Sequence, residues 1–189
     1  MATKIYVDQG HNPVNPNAGA EGNGLREQDV VYRIGRELAD RLRAAGYEVR
    51  LSRPTANTQL GTSNATSLRT RVDEANSWGA DYYISLHTNS SSSPAATGTE
   101  ALVYSSPSRA ASLARDILAQ ITAKTGLRNR GVVVRSGLYV LRKTRMPAVL
   151  LELGFISNPN DAELLSEQPE LFAEAITQGI INYTGGPNR

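Results

Sequence analysis

The sequence predicts a three-layer α/β domain in which helices flank a mostly parallel, twisted sheet of about six strands. Two observations carry this expectation. Short β-rich runs alternate along the chain with long stretches whose apolar residues recur at helical spacing. The composition, 189 residues with 40% hydrophobic and 20% charged side chains and a formal charge of +2, is that of a globular chain long enough to bury its own core. No linker or repeat divides it, so residues 1–185 are expected to form a single domain, followed by a short tail, 186–189. The absence of cysteine excludes a disulfide scaffold, thiolate metal sites and a cysteine nucleophile.

Thr3–Gln9 reads as the first strand, broken at Gly10 by a Pro/Asn/Gly-rich loop, Asn12–Gly24. From Leu25 to Ala45, Val31, Ile34, Leu38 and Leu42 mark one face of a helix that Gly46 ends. Tyr47–Ser52 alternates as a strand, and the polar Thr55–Ser67 reads as a loop. Leu68, Val72 and Ala75 then mark a helix ending near Trp78-Gly79. Asp81–His87 and Thr99–Tyr104 are strands on either side of a Ser-rich link. Ser106-Pro107 is a cap-and-first-turn pair for a helix carrying Leu113, Ile117 and Ile121 inward and closing at Gly126. Val132–Val134, Leu138–Leu141 and Ala148–Leu153 are strand candidates, and Pro169–Tyr183 is the last helix.

Ligands in open parallel sheets bind beyond the carboxyl ends of the strands, so the polar residues at those ends matter most. The first strand runs out into Asp8-Gln9-Gly10-His11 and the third into Ser85-Leu86-His87, which brings both histidines of the protein to one predicted edge. Glu27 lies four residues before Val31 and seven before Ile34, on the inward face of the first helix. A first-turn Glu also complements the helix dipole, but that role calls for a position at the rim. Glu152 stands in the apolar run Val149-Leu150-Leu151-Glu152-Leu153, where an acid is costly unless it is paired, for instance with Arg71 or Arg145, or kept for proton transfer. Two imidazoles and one carboxylate are a ligand set for catalytic zinc, with a fourth position left for water and a second carboxylate free to take its proton. Neither a phosphate-binding loop nor a Gly-x-Ser-x-Gly elbow is present.

At these residues the sequence resembles the zinc-dependent N-acetylmuramoyl-L-alanine amidases of the amidase-3 family, which are bacterial and phage peptidoglycan hydrolases. The resemblance runs through Val7-Asp8-Gln9-Gly10-His11, Glu27, Leu68-x-x-Arg71-x-x-x-Ala75-Asn76 and Ala80-Asp81-Tyr82-Tyr83-Ile84-Ser85-Leu86-His87-Thr88-Asn89. It continues through Met146-Pro147-Ala148-Val149-Leu150-Leu151-Glu152-Leu153-Gly154-Phe155-Ile156-Ser157-Asn158. It implies that His11, Glu27 and His87 hold Zn2+ and that Glu152 is the catalytic glutamate. One departure is Asn12-Pro13-Val14-Asn15-Pro16, which stands where the family usually has a Gly-rich loop.

The activity so implied is hydrolysis of the amide between N-acetylmuramic acid and the L-alanine of the stem peptide, with peptidoglycan as the substrate. A monomer without nucleic-acid partner or membrane span is expected. Thr55–Ser67 and Thr88–Gly98 are candidate borders of the substrate groove, and Arg128 and Arg130 are either stem-peptide contacts or a solvated cluster. The chain shows no signal peptide, so it is expected either to be cytoplasmic before release or to be trimmed from a longer protein, acting in both cases at the bacterial cell wall. The rivals are a carboxypeptidase-like zinc peptidase and a wall-binding module with an inert metal.

Overall fold

The structure, a computed structural model, describes residues 2–188. Six strands form one sheet: β1 (Lys4–Gln9), β4 (Glu48–Leu51), β5 (Tyr82–Asn89), β6 (Thr99–Val103), β7 (Asn129–Val134) and β8 (Ala148–Phe155). Their order is β4-β1-β5-β8-β6-β7, and every neighbouring pair is parallel except β6–β8. Two short strands, β2 (Glu21–Gly22) and β3 (Leu25–Arg26), pair separately as a hairpin before the first helix. The expected three-layer α/β architecture is present.

Strand alternation divides the core in two. Ile5 and Val7 of β1, Ile84 and Leu86 of β5, and Val149 and Leu151 of β8 pack beneath α1 (Glu27–Ala44), α3 (Arg109–Thr125) and α6 (Pro169–Thr184). Tyr6, Tyr83 and Leu150 turn the other way, against α2 (Asn64–Trp78) and α4 (Tyr139–Lys143). Counting on by twos, Asp8, Ser85, His87 and Glu152 share this second face. The alternation that builds the core therefore also gathers the polar residues.

Several boundaries differ from expectation. Leu138–Leu141 is not a strand: residues 139–143 form α4, with Val140 and Leu141 buried and the Arg142 amide donating to the Leu138 carbonyl at 3.0 Å. A four-residue apolar run suits a buried helical turn as well as a strand, and here β8 passes directly to the sheet centre and leaves no edge for another. Helix α2 begins at Asn64 rather than Leu68, because Ser63 and Thr66 form a reciprocal capping box. Ser108, not Ser106, caps α3. An additional helix, α5 (Pro159–Glu167), is started by the Asn158 side chain, which accepts from the Asn160 and Asp161 amides. Of the expected tail, residues 186–188 are described and Arg189 lies outside the described residues; the Pro187 carbonyl accepts both the amide and the hydroxyl of Thr3. Among the described residues no helix is long and apolar enough to cross a membrane.

Candidate active site

Each site side chain is aimed by its own piece of backbone. His11 lies two residues past β1 with φ +64, a left-handed conformation unusual for a non-glycine residue. Asn12 and Arg71 hold the chain in that shape. The fully buried Asn12 amide donates to the carbonyls of Pro16 (2.8 Å) and Leu60 (2.9 Å) and accepts from the Leu60 amide. Arg71, from α2, donates to the carbonyls of Gln9 (2.7 Å) and His11 (2.6 Å). The loop that departs from the family pattern is thus closed by Asn12, and Leu60 of the Thr55–Ser67 segment packs beneath it.

Glu27 is the first residue of α1 and is almost fully buried. Its carboxylate accepts from the amides of Ala20 and Thr88, each at 2.9 Å, and faces two imidazoles: His11 Nε2 at 3.2 Å and His87 Nδ1 at 3.2 Å. Burial alone would raise its pKa, but the hydrogen bonds and charges of His11 and His87 hold it well below the usual carboxylate range. For His87 burial favours the neutral ring, yet the Glu27 carboxylate outweighs it and raises the pKa. The cluster admits no further bulk. A Cβ at Gly10 would lie 2.5 Å from His87 Cε1 and 2.6 Å from the Leu86 carbonyl oxygen, and one at Gly19 would lie 2.8 Å from Glu27 Oε2.

Glu152 lies on β8 directly opposite His87 of β5, and opposite Glu100 of β6 on its other side. Its Oε2 is buried without a hydrogen-bond partner among the described residues. Burial first, then the negative charges of Glu27 and Glu100, push its pKa up to about 7 against the opposing influence of His87. The structural pairing weighed for it is not made, because Arg71 is committed to Asp8 and no ion pair of Arg145 occurs among the described residues.

His11, Glu27 and His87 can each offer one ligand atom, all within 4.8 Å of one another. Ligands ~2.1 Å from a shared tetrahedral centre lie ~3.4 Å apart, and here each Glu27 oxygen stands 3.2 Å from one imidazole, Oε2 from His11 and Oε1 from His87, so the donor set fits a zinc-sized ion with little adjustment. Beside the two imidazoles a cavity of ≈ 130 Å³ is lined by Leu68, Tyr139 and Leu150.

The family model of the amidase-3 N-acetylmuramoyl-L-alanine amidases matches residues 5–182. The chain belongs to that amidase family. It is 36% identical over 186 residues to the amidase LytC of Bacillus subtilis (strain 168), covering 95% of this chain and 35% of LytC. It is 35% identical over 182 residues to the amidase CwlM of Bacillus licheniformis, covering 95% of this chain and 66% of that one. The chain thus spans less than two thirds of either relative. The catalytic domain of CwlV from Bacillus (Paenibacillus) polymyxa var. colistinus superposes with a TM-score of 0.85 at 30% identity, over 97% of this chain and 99% of the other.

The amidase also contains a buried polar cluster around Asp8, a residue whose place at a strand end was plain in the sequence but whose full set of partners was not. Asp8 accepts from Arg71 (2.5 Å), the Tyr83 hydroxyl (2.7 Å) and the Ser85 hydroxyl (2.7 Å), directly below His87 on the same face. The signal was an acid following Ile5-Tyr6-Val7, of the same kind that singled out Glu152. Arg130 stacks on the Phe155 ring at 5.0 Å and lies 3.7 Å from Glu100, and both Arg128 and Arg130 are exposed. Ser91 and Pro94 of the Thr88–Gly98 segment bond to Ser157 and Asn158, which follow β8.

Proposed function

We propose that this chain hydrolyses the amide between the lactyl group of N-acetylmuramic acid and the L-alanine of the stem peptide, with residues 1–185 acting as one catalytic domain and as a monomer. The reading assigns His11, Glu27 and His87 as ligands of a zinc ion and Glu152 as the proton-transfer residue. What carries it is the unpaired Oε2 of Glu152, one strand across from His87. A zinc ion in that donor set would acidify water and polarise the scissile carbonyl, stabilising charge that develops in the transition state.

The chain's own residues do the rest. Glu27 is fixed by two backbone amides and so presents a carboxylate of constant position to both imidazoles. Arg71 and Asn12 keep the His11 loop from relaxing out of its left-handed conformation. Glu152, with a pKa near neutrality, takes a proton from the attacking water and returns it to the departing amine. The segments Thr55–Ser67 and Thr88–Gly98 border the groove in which the substrate lies.

Mass spectrometry of digested muropeptides, with and without a chelator, tests this reading. Expected products are a free L-alanine amino terminus and an intact muramic lactyl group, both lost on chelation. Release of single amino acids from the stem would instead support a carboxypeptidase-like enzyme. Adsorption to walls without clearing would support a binding module.

A further inference from the structure

Charge is distributed very unevenly along this chain. Between Tyr104 and Pro147 there are nine Lys and Arg but a single acid, Asp116, and from Ile117 to Leu151 there is no Asp or Glu at all. In the fold this segment supplies α3 and α4, on opposite faces of the sheet, and the edge strand β7 between them; of its cations, Lys124 pairs with Glu174 and Arg130 with Glu100.

Three of the nine cations meet at a cleft of ≈ 540 Å³ between the β6–α3 turn, the end of α4 and the start of β8. Arg109, Arg142 and Arg145 line it together with Tyr104, Ser105 and Ser108, and no acid does. Among the described residues none of these three arginines makes an ion pair. Asp81, Asp73 and Glu74 lie on neighbouring elements, but Asp81 bonds to the Lys4 amide and Glu74 to the Tyr6 hydroxyl. Arg142, at the end of α4, suits the dipole of its helix, whereas Arg109, at the first position of α3, opposes its own. Arg109 is held by the Tyr82 hydroxyl at 3.2 Å rather than by an acid. Beyond the cleft, Arg135 and Lys143 are exposed and extend the basic surface. Ala148 at the cleft and Glu152 at the site lie on one strand, ~13 Å apart at the rise of a β-strand, so the two places are separate.

We infer that this cleft and its flanks bind a linear phosphodiester polyanion, the polyol-phosphate polymer that accompanies peptidoglycan in some walls. The guanidinium fork matches a phosphate oxygen pair, the hydroxyls of Tyr104 and Ser105 add neutral donors, and the cations outside the cleft suit a repeating charge rather than a single free anion. Binding there would hold the enzyme on its insoluble substrate while leaving the His/Glu site open. The choice of polymer rests on the wall-acting function proposed above; binding and cleavage are measured separately, so one can fail without the other.

The test is the affinity of polyglycerol phosphate of defined length for the Glu152→Gln protein in low salt. Arg142→Gln/Arg145→Gln should weaken binding about tenfold and flatten its salt dependence, while Arg33→Gln/Arg36→Gln, with the same change in net charge on exposed α1 positions, should change it less than about twofold. Arg142→Lys/Arg145→Lys should retain an intermediate affinity. In the Glu152 background, neither glutamine pair should alter cleavage of a small soluble muropeptide. Equal loss in both glutamine pairs, or no binding by the parent protein, overturns the inference. Equally tight binding of single-stranded DNA or of anionic vesicles at matched charge overturns the choice of polymer.

Discussion

Two buried acids stand on the same face of one sheet and behave in opposite ways. Asp8, on β1, is surrounded by donors: Arg71, Tyr83 and Ser85 all reach it. Burial by itself would raise its pKa, but the Arg71 charge and these hydrogen bonds hold it down at about 2. Glu152, on β8, has burial without the donors, and its pKa goes up to about 7. β5 lies between them, giving Tyr83 and Ser85 to one acid and His87 to the other. The lesson is that burial sets only the cost of a carboxylate; the partners decide whether it becomes a structural pin or a proton carrier.

The largest expected effect breaks the reactive member of the pair. Glu152→Gln keeps the size of the side chain and removes its ability to take a proton, so muropeptide cleavage should fall ~10²–10⁴-fold while metal content, measured on the purified protein, stays at the parent level. His87→Ala should lose both. Full metal occupancy in His87→Ala would contradict its assignment as a ligand.

Breaking the structural member should be felt in stability first. Asp8→Asn leaves the Arg71 guanidinium buried with its charge uncompensated, and loss of one partner of such a pair costs about 3–5 kcal/mol. Chemical denaturation of the metal-free protein measures it. Because Arg71 also holds the Gln9 and His11 carbonyls, metal affinity should fall as well.

The contrast extends to pH, with opposite signs. Glu152 has a folded pKa of about 7 against 4.5 for a free glutamate, so the folded state binds its proton more tightly. Its contribution to stability is fully present below 4.5 and is lost as pH rises through 7, an amount of about 3 kcal/mol. In the metal-free protein the stability of Glu152→Gln minus that of the parent should therefore grow between pH 4.5 and 7. A difference that stays flat across that window would mean Glu152 is solvated after all.

The same two acids show what the sequence could convey. His11, Glu27, His87 and Glu152 were legible because strand ends and helix faces have fixed periods, so residues far apart in the chain could be assigned to one edge, and they do converge. Asp8 carried an equally plain signal, an acid after an apolar strand, but its partners come from α2 and β5, and no local pattern names them. Gly10 and Gly19 were illegible for a similar reason: their need to lack a Cβ arises from contacts with His87 and Glu27 that exist only once the sheet is assembled. The strand proposed at 138–141 failed because four apolar residues cannot declare a period, whereas α5 could have been read from Asn158-Pro159.

The smallest effect lies on the acid side, where Asp8 should act alone. Its folded pKa of about 2 is below the ordinary 3.8, so the folded state binds that proton less tightly than the unfolded chain does. The stability it supplies is complete above 3.8 and disappears as pH falls through 2, about 2 kcal/mol in all. Glu27 is also held low and would blur a simple acid titration of the parent. Subtracting the metal-free Asp8→Asn protein removes that contribution, because Glu27 titrates in both. The difference should be level from pH 6 down to about 4 and then shrink towards pH 2, the direction opposite to the Glu152 difference. A difference that instead widened with acid would mean that Arg71 and the hydroxyls of Tyr83 and Ser85 do not favour the charged form, and the contrast between the two carboxylates would fail.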